Sequence, residues 1–246
     1  MITVKGVHMR KMVQKIRIGV FVLGTTGLLA STSPAQEQAK DSTDVMMPEQ
    51  FTETLKQVWT MLKNEMDTYL ESIRAKDEFE TGPEFERRVT DSRRQYIAKV
   101  LKYSRDQKLD QREFSVLFKA NLGVYDADKE MYPLSSPTVV DAPYNIPTVQ
   151  CVIRNNPYVA LADSVRKGYR TSSLFVNLPK GNKWQVSRDL ARAAKVDEDQ
   201  IYFRVKMTIE IEKADVKKQA ILELVPTQLA LINNKTNQVF WTVPIR

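Results

Sequence analysis

Ile201-Tyr202-Phe203-Arg204-Val205-Lys206-Met207-Thr208-Ile209-Glu210-Ile211-Glu212 places an apolar side chain at every odd position and a polar or amphipathic one at every even position. A period of two over twelve residues is the signature of a strand with one covered face. Residues 218–225 and 228–233 suggest further strand. Asn233-Asn234-Lys235-Thr236-Asn237 then turns the chain into a last strand, Gln238–Val243. The C-terminal half therefore predicts a mainly antiparallel sheet.

Upstream the same period recurs. Phe114, Val116, Phe118, Ala120, Leu122 and Val124 alternate with Glu113, Ser115, Leu117, Lys119, Asn121 and Gly123, which predicts a half-buried strand. Asp126-Ala127-Asp128 turns it toward another strand around Glu130–Leu134. Prolines at 133, 137, 143, 147 and 157 restrict strands in the middle to short or edge positions. Short strands are expected near Thr148–Ile153 and Leu174–Leu178, with a turn at Pro179-Lys180-Gly181-Asn182. Ser187 is placed to cap a helix from Arg188 to about Lys195.

The N-terminal part reads differently. Phe51, Leu55, Val58, Leu62, Met66, Tyr69 and Ile73 are spaced by three or four residues, a helical stripe running from Pro48 to about Arg74. Phe85, Val89, Ser92, Tyr96, Val100 and Tyr103 repeat the pattern after Thr81-Gly82-Pro83-Glu84, which has capping-box spacing. Neither helix hides its stripe alone, so the two are expected to pack as a hairpin. Residues 48–75 carry three basic and five acidic side chains, and residues 84–108 eight and four, so the charges favour that pairing. The fold class is α+β: an N-terminal helical hairpin packed with a mainly antiparallel C-terminal β-sheet. It forms a single domain over 48–246, helical to 108 and mainly strands from 109.

Ahead of this domain the chain predicts an export signal over residues 1–35. Lys5, Arg10, Lys11, Lys15 and Arg17 precede an apolar run, Ile18–Leu29, and then small residues ending in Ser33-Pro34-Ala35. A membrane anchor is the competing reading, but twelve residues rise only about 18 Å as a helix, short of the bilayer core. Residues 36–47 read as a flexible tether. Cleavage would remove five of the 37 basic residues and none of the 30 acidic ones, lowering the net charge from +7 to +2. The basic excess belongs to the signal, which argues against a nucleic-acid partner. The one histidine, His8, would leave as well. That excludes Ser-His-Asp and Cys-His catalysis and histidine-ligated metals from the mature chain. Cys151, the single cysteine, has no intramolecular disulfide partner and reads as a small buried apolar residue.

Lys76-Asp77-Glu78-Phe79-Glu80-Thr81, followed by Glu84-Phe85, Arg88 and later Gly123-Val124-Tyr125-Asp126, is the most distinctive stretch. It resembles a segment of uncharacterised bacterial envelope proteins in which a Glu-Phe-Glu-Thr run opens a charged helix and a strand pair follows. The likeness spans about 65 residues, 76–140, and implies no activity and no site residues. The physical reading of the same residues has Phe79 packing beside the helix start while Thr81 and Glu84 cap it.

Candidate chemistries are few. Asp126-Ala127-Asp128-Lys129-Glu130 has the alternating carboxylates of a calcium loop but has Met131 where that loop needs glycine and Pro137 where it needs glutamate, so a hairpin turn is the better reading. Glu78/Glu80 and Glu198/Asp199 are carboxylate pairs of the kind a glycosidase uses. A serine–lysine pair from distant positions is the other histidine-free option. No catalytic, metal or cofactor motif emerges. Arg87, Arg88, Arg94, Lys102 and Arg105 mark a possible binding surface on the second helix for an anionic envelope component. The expectation is a non-enzymatic, periplasmic or secreted envelope protein that binds another envelope protein. The rival is a histidine-free hydrolase of envelope polymers, which a carboxylate-bearing cleft or a lysine beside a serine would favour.

Overall fold

The computed structural model describes residues 44–109, 111–166, 168–178, 183–212 and 219–245. The export signal, most of the tether and the 179–182 turn lie outside the described residues. In chain order the elements are β1 (Asp44–Met46), α1 (Pro48–Ser72), α2 (Gly82–Asp106), β2 (Phe114–Lys119), β3 (Asn121–Leu122), β4 (Met131–Ser135), β5 (Val139–Ala142), β6 (Val149–Ile153), β7 (Val159–Arg166), β8 (Tyr169–Val176), β9 (Lys183–Gln185), α3 (Arg188–Val196), β10 (Ile201–Glu212), β11 (Ala220–Asn233) and β12 (Gln238–Pro244). The class is α+β as expected, with antiparallel pairing dominant and parallel additions at β1 and β6.

The quoted strand, β10, lies between β2 and β11 in a six-stranded sheet of order β1-β2-β10-β11-β12. Ile201, Phe203, Val205, Met207 and Ile209 are fully buried. The two regions read as further strand, 218–225 and 228–233, belong to one strand, β11, with a bulge between them. Val205 faces Leu229 and Lys206 faces Gln228, but Met207 faces Pro226, so Thr227 is the extra residue. Leu231 and Leu229 on one side of it and Leu224 and Leu222 on the other are out of phase in sequence yet line one core face. An inserted residue restores the phase that a period of two would otherwise lose. Pro226, which has no N–H to give a ladder, sits at this irregularity. β6 and β12 occupy successive halves of the remaining edge of β11.

Helix α1 lies on the core face against β1, β2, β5, β6 and β11. Phe51, Leu55, Val58, Leu62 and Met66 are buried there, with the Phe51 and Phe114 rings 5.8 Å apart. Helix α2 packs on α1, burying Tyr96 and Val100, and Tyr69 meets Tyr96 at 5.5 Å. Thr81 is its N-cap and the predicted capping box is present. Across the helix pair the charge complementarity appears as Lys99–Glu65 at 2.8 Å. α3 follows its prediction closely, although Ser187 adopts the cap backbone without a side-chain hydrogen bond.

Four expectations need correction. The end of the tether, Asp44–Met46, is a strand parallel to β2. β2 is not half-buried: Ser115 and Leu117 are as hidden as Phe114 and Phe118, because Leu117, Ala230 and Ile232 form a second apolar cluster with Tyr202 on the other face. The strand also stops earlier than its alternation suggests, leaving Val124 88% exposed. In the middle, β7 and β8 form a hairpin turning at Gly168 (φ 81°), where only the end of β8 is legible from the sequence.

Candidate binding surfaces

Arg87, Arg94 and Arg105 are seven and eleven residues apart, about two and three turns, and share the solvent face of α2 opposite its buried stripe. Lys102 lies beside them. Arg94 pairs with Asp91 at 3.0 Å and Lys102 with Asp106 at 2.6 Å, and the Arg105 Nε donates to the Leu101 carbonyl at 3.3 Å. These cations remain well exposed and open to an anionic partner.

Arg88 does not join them. Its Nε and Nη2 donate to the two Glu80 carboxylate oxygens at 2.9 and 2.7 Å, while Nη2 also reaches the Ala75 carbonyl at 2.8 Å and Nη1 the Ser72 carbonyl. The guanidinium closes the end of α1 onto the start of α2, a rigid fork used for structure. The hydrogen bond from Arg88 holds the Glu80 carboxyl below the usual range, and the same bond raises the arginine. Asp77 adds to this connection: its Oδ1 accepts from the Phe79 N–H at 3.0 Å and its carbonyl from the Glu80 N–H at 3.1 Å. The expectation for Phe79 fails, since the ring does not pack beside the helix start but is 89% exposed at the tip of this hydrogen-bonded loop.

A second surface lies between β9 and β12. Tyr158, Trp184, Phe240 and Trp241, with Lys183, Gln185, Thr242 and Val243, line a groove of about 290 Å³. Its floor continues an aromatic row, Tyr125–Tyr132 at 5.0 Å, Tyr132–Trp184 at 6.0 Å and Trp184–Phe240 at 4.6 Å. The β11–β12 register slips here: Leu231 faces Trp241 and Ile232 faces Val239, so Phe240 is the extra residue. A bulge lets consecutive side chains serve one side. Phe240 accordingly meets Trp184 while Trp241 meets Phe203 of the core at 6.2 Å. Sequence reading missed this groove. Its one visible sign was two adjacent large aromatics in a strand, which a period of two cannot keep together.

A third cleft, of about 280 Å³, is lined by Tyr144, Asn145, Asp163, Ser164, Val165 and Arg170. Asn145 is occupied structurally, donating to Asp163 Oδ2 at 3.0 Å and accepting from the Cys151 N–H at 2.6 Å. Cys151 is buried as predicted, and burial, followed by the Asp163 charge, pushes its thiol up to about 12. It is protonated at neutral pH and no nucleophile.

The histidine-free chemistries can be placed individually. Asp126 Oδ1 accepts from the backbone N–H groups of Asp128 and Lys129, and its Oδ2 meets the Lys129 ammonium at 2.7 Å, so this segment is the hairpin turn. Glu80 is held by Arg88, and Glu198 pairs with Lys195. The sheet does set Ser115 opposite Lys206. The Ser115 Oγ is nevertheless wholly buried without a hydrogen-bond partner among the described residues, and the Lys206 ammonium reaches Glu113 at 3.4 Å. A wholly buried serine hydroxyl that makes no hydrogen bond to a lysine lacks the activation a nucleophile needs. Among the described residues no helix is long and apolar enough to cross a membrane. Comparison with protein-family models, with curated proteins and with solved structures gives no match.

Proposed function

We propose that this is an exported protein of the bacterial envelope, periplasmic or secreted, that works by binding another envelope protein. The observation that carries the binding reading is the aromatic groove beside β12, a strand that among the described residues pairs only with β11, along one edge. Tryptophan and phenylalanine held by a packed row offer large contact area with little rotamer freedom to lose. A free strand edge next to them suits an extended segment that places an apolar side chain in the groove. The basic face of α2 supplies a separate contact for an anionic envelope component.

The test is photo-crosslinking in intact cells from a benzoyl-phenylalanine placed at Thr242, beside the same probe at Thr90 on α2. Adducts with envelope proteins should form from 242 and not from 90, and the crosslinked chain should begin at or near Gln36. Equal adducts from both positions would remove the groove as the site. Turnover of an envelope polymer by the purified protein would favour the hydrolase instead.

A further inference from the structure

We propose that the groove beside β12 takes Phe79 of a second copy of this chain, so that the protein assembles head to tail. The inference rests on the groove being a binding site and names its occupant. Phe79 is 89% exposed, so it does not fill any apolar site within its own chain. Single exposed apolar residues are ordinary on protein surfaces. The support of this one is not, because the connection beneath it is fixed by the Asp77 cap, the fork of Arg88 on Glu80, Ser72 and Ala75, and the Thr81–Glu84 capping box. A ring presented on a preorganised loop loses little conformational entropy when it docks.

The groove fits the knob in size and charge. An apolar cavity of about 150 Å³ holds a benzene ring, and this groove offers about 290 Å³. Acidic Asp77 and Glu78 immediately precede Phe79 in the loop, and Lys183 is among the groove's lining residues. Asp77 and Glu78 beside the ring disfavour an anionic membrane surface as the occupant. Knob and hole are different surfaces of one chain, so the contact is heterologous and propagates into rings or open chains.

Sedimentation velocity over a range of protein concentrations tests this with the parent, Phe79→Ala and Thr242→Trp. Thr242 lines the groove on an exposed strand position, where tryptophan fills the space and keeps good strand propensity. The parent should grow in size with concentration, and each variant alone should remain monomeric. An equimolar mixture of the two variants should give a dimer, because one retains the hole and the other the knob. A monomeric parent would overturn self-assembly, and Phe79→Ala associating like the parent would overturn Phe79 as the knob. Loss of that kind leaves the groove reading intact if Thr242 still crosslinks to other envelope proteins. If Thr242→Trp associates like the parent and Phe79→Ala does not, the knob works elsewhere and this assignment fails.

Discussion

Arg88 shows how far a side chain's role depends on its neighbours. In sequence it is one of a run of cations on α2, equal to Arg87 or Arg94. In the fold it lies a little round the helix from them, where the α1–α2 connection brings Glu80 and two free carbonyls within its reach. Arg88→Ala should lower the melting temperature clearly more than Arg94→Ala, whose partner Asp91 is a solvent-exposed neighbour on the same helix. Glu80 supplies a pH signature. Its folded-state pKa is depressed, chiefly by the Arg88 hydrogen bond, so its contribution to stability is present above the unfolded-state value and is lost as pH falls through the folded one. The melting-temperature gap between the parent and Glu80→Gln should be full at neutral pH and close on the acid side of the ordinary carboxylate range. A gap that widens on acidification would contradict this arrangement. Phe79 makes the complementary point, since nothing in Glu78-Phe79-Glu80 distinguishes a ring that caps a helix from one that faces water.

At the scale of elements, α1 is the helix on which the rest is assembled. It touches the sheet on one side and α2 on the other, which is why its stripe is buried along five successive apolar positions while α2 fully buries two residues. Leu62→Asp should therefore be severe. Losing a buried leucine costs about 2–5 kcal/mol and an unpaired carboxylate in its place adds to that. Glu65→Lys is milder but not silent, because Glu65 pairs with Lys99 across the hairpin and reversal sets two ammonium groups together. With both side chains partly in solvent, the loss should stay near 1 kcal/mol. Thermal unfolding followed by circular dichroism separates the two; equal melting would mean that the α1 stripe is not core. The hairpin β7–β8 belongs to the opposite case. In its outer half Ser164 faces Thr171, their hydroxyls 2.8 Å apart, where an apolar alternation would place an apolar pair, so that half left no periodic trace in the sequence.

For the whole molecule the decisive irregularity is Thr227. Its hydroxyl donates to Glu113 Oε1 at 2.6 Å, and its carbonyl accepts from the Ile245 N–H at 2.8 Å, so the bulge is tied both to the approach to β2 and to the chain beyond β12. Deleting Thr227 would join Pro226 to Gln228 in a regular ladder that keeps Leu224 and Leu222 in the phase of Leu229 and Leu231, and would remove the hydrogen bonds to Glu113 and Ile245. The variant should keep a cooperative transition and its near-ultraviolet dichroism but melt below Thr227→Ser, which keeps the residue and the hydroxyl. A deletion variant that loses both signals would show that β11 does not tolerate a regular ladder at Pro226 and that the bulge itself is required.

The class α+β, the two helices with the capping box of α2, β10, the last strand and the Asp126 turn were all legible because each rests on local periodicity or local hydrogen bonding. A stripe at three and four, an alternation at two and a capping box are properties of neighbouring residues. The unity of β11, the burial of both faces of β2, the withdrawal of Arg88 from the basic surface and the aromatic groove were settled by tertiary structure alone. Each depends on which distant strand or loop arrives alongside. Phase restored by a bulge, a guanidinium captured by carbonyls at the end of the preceding helix and its connection, and aromatic rings gathered from positions 125, 132, 184 and 240 depend on how other elements fall alongside, and no local period records them.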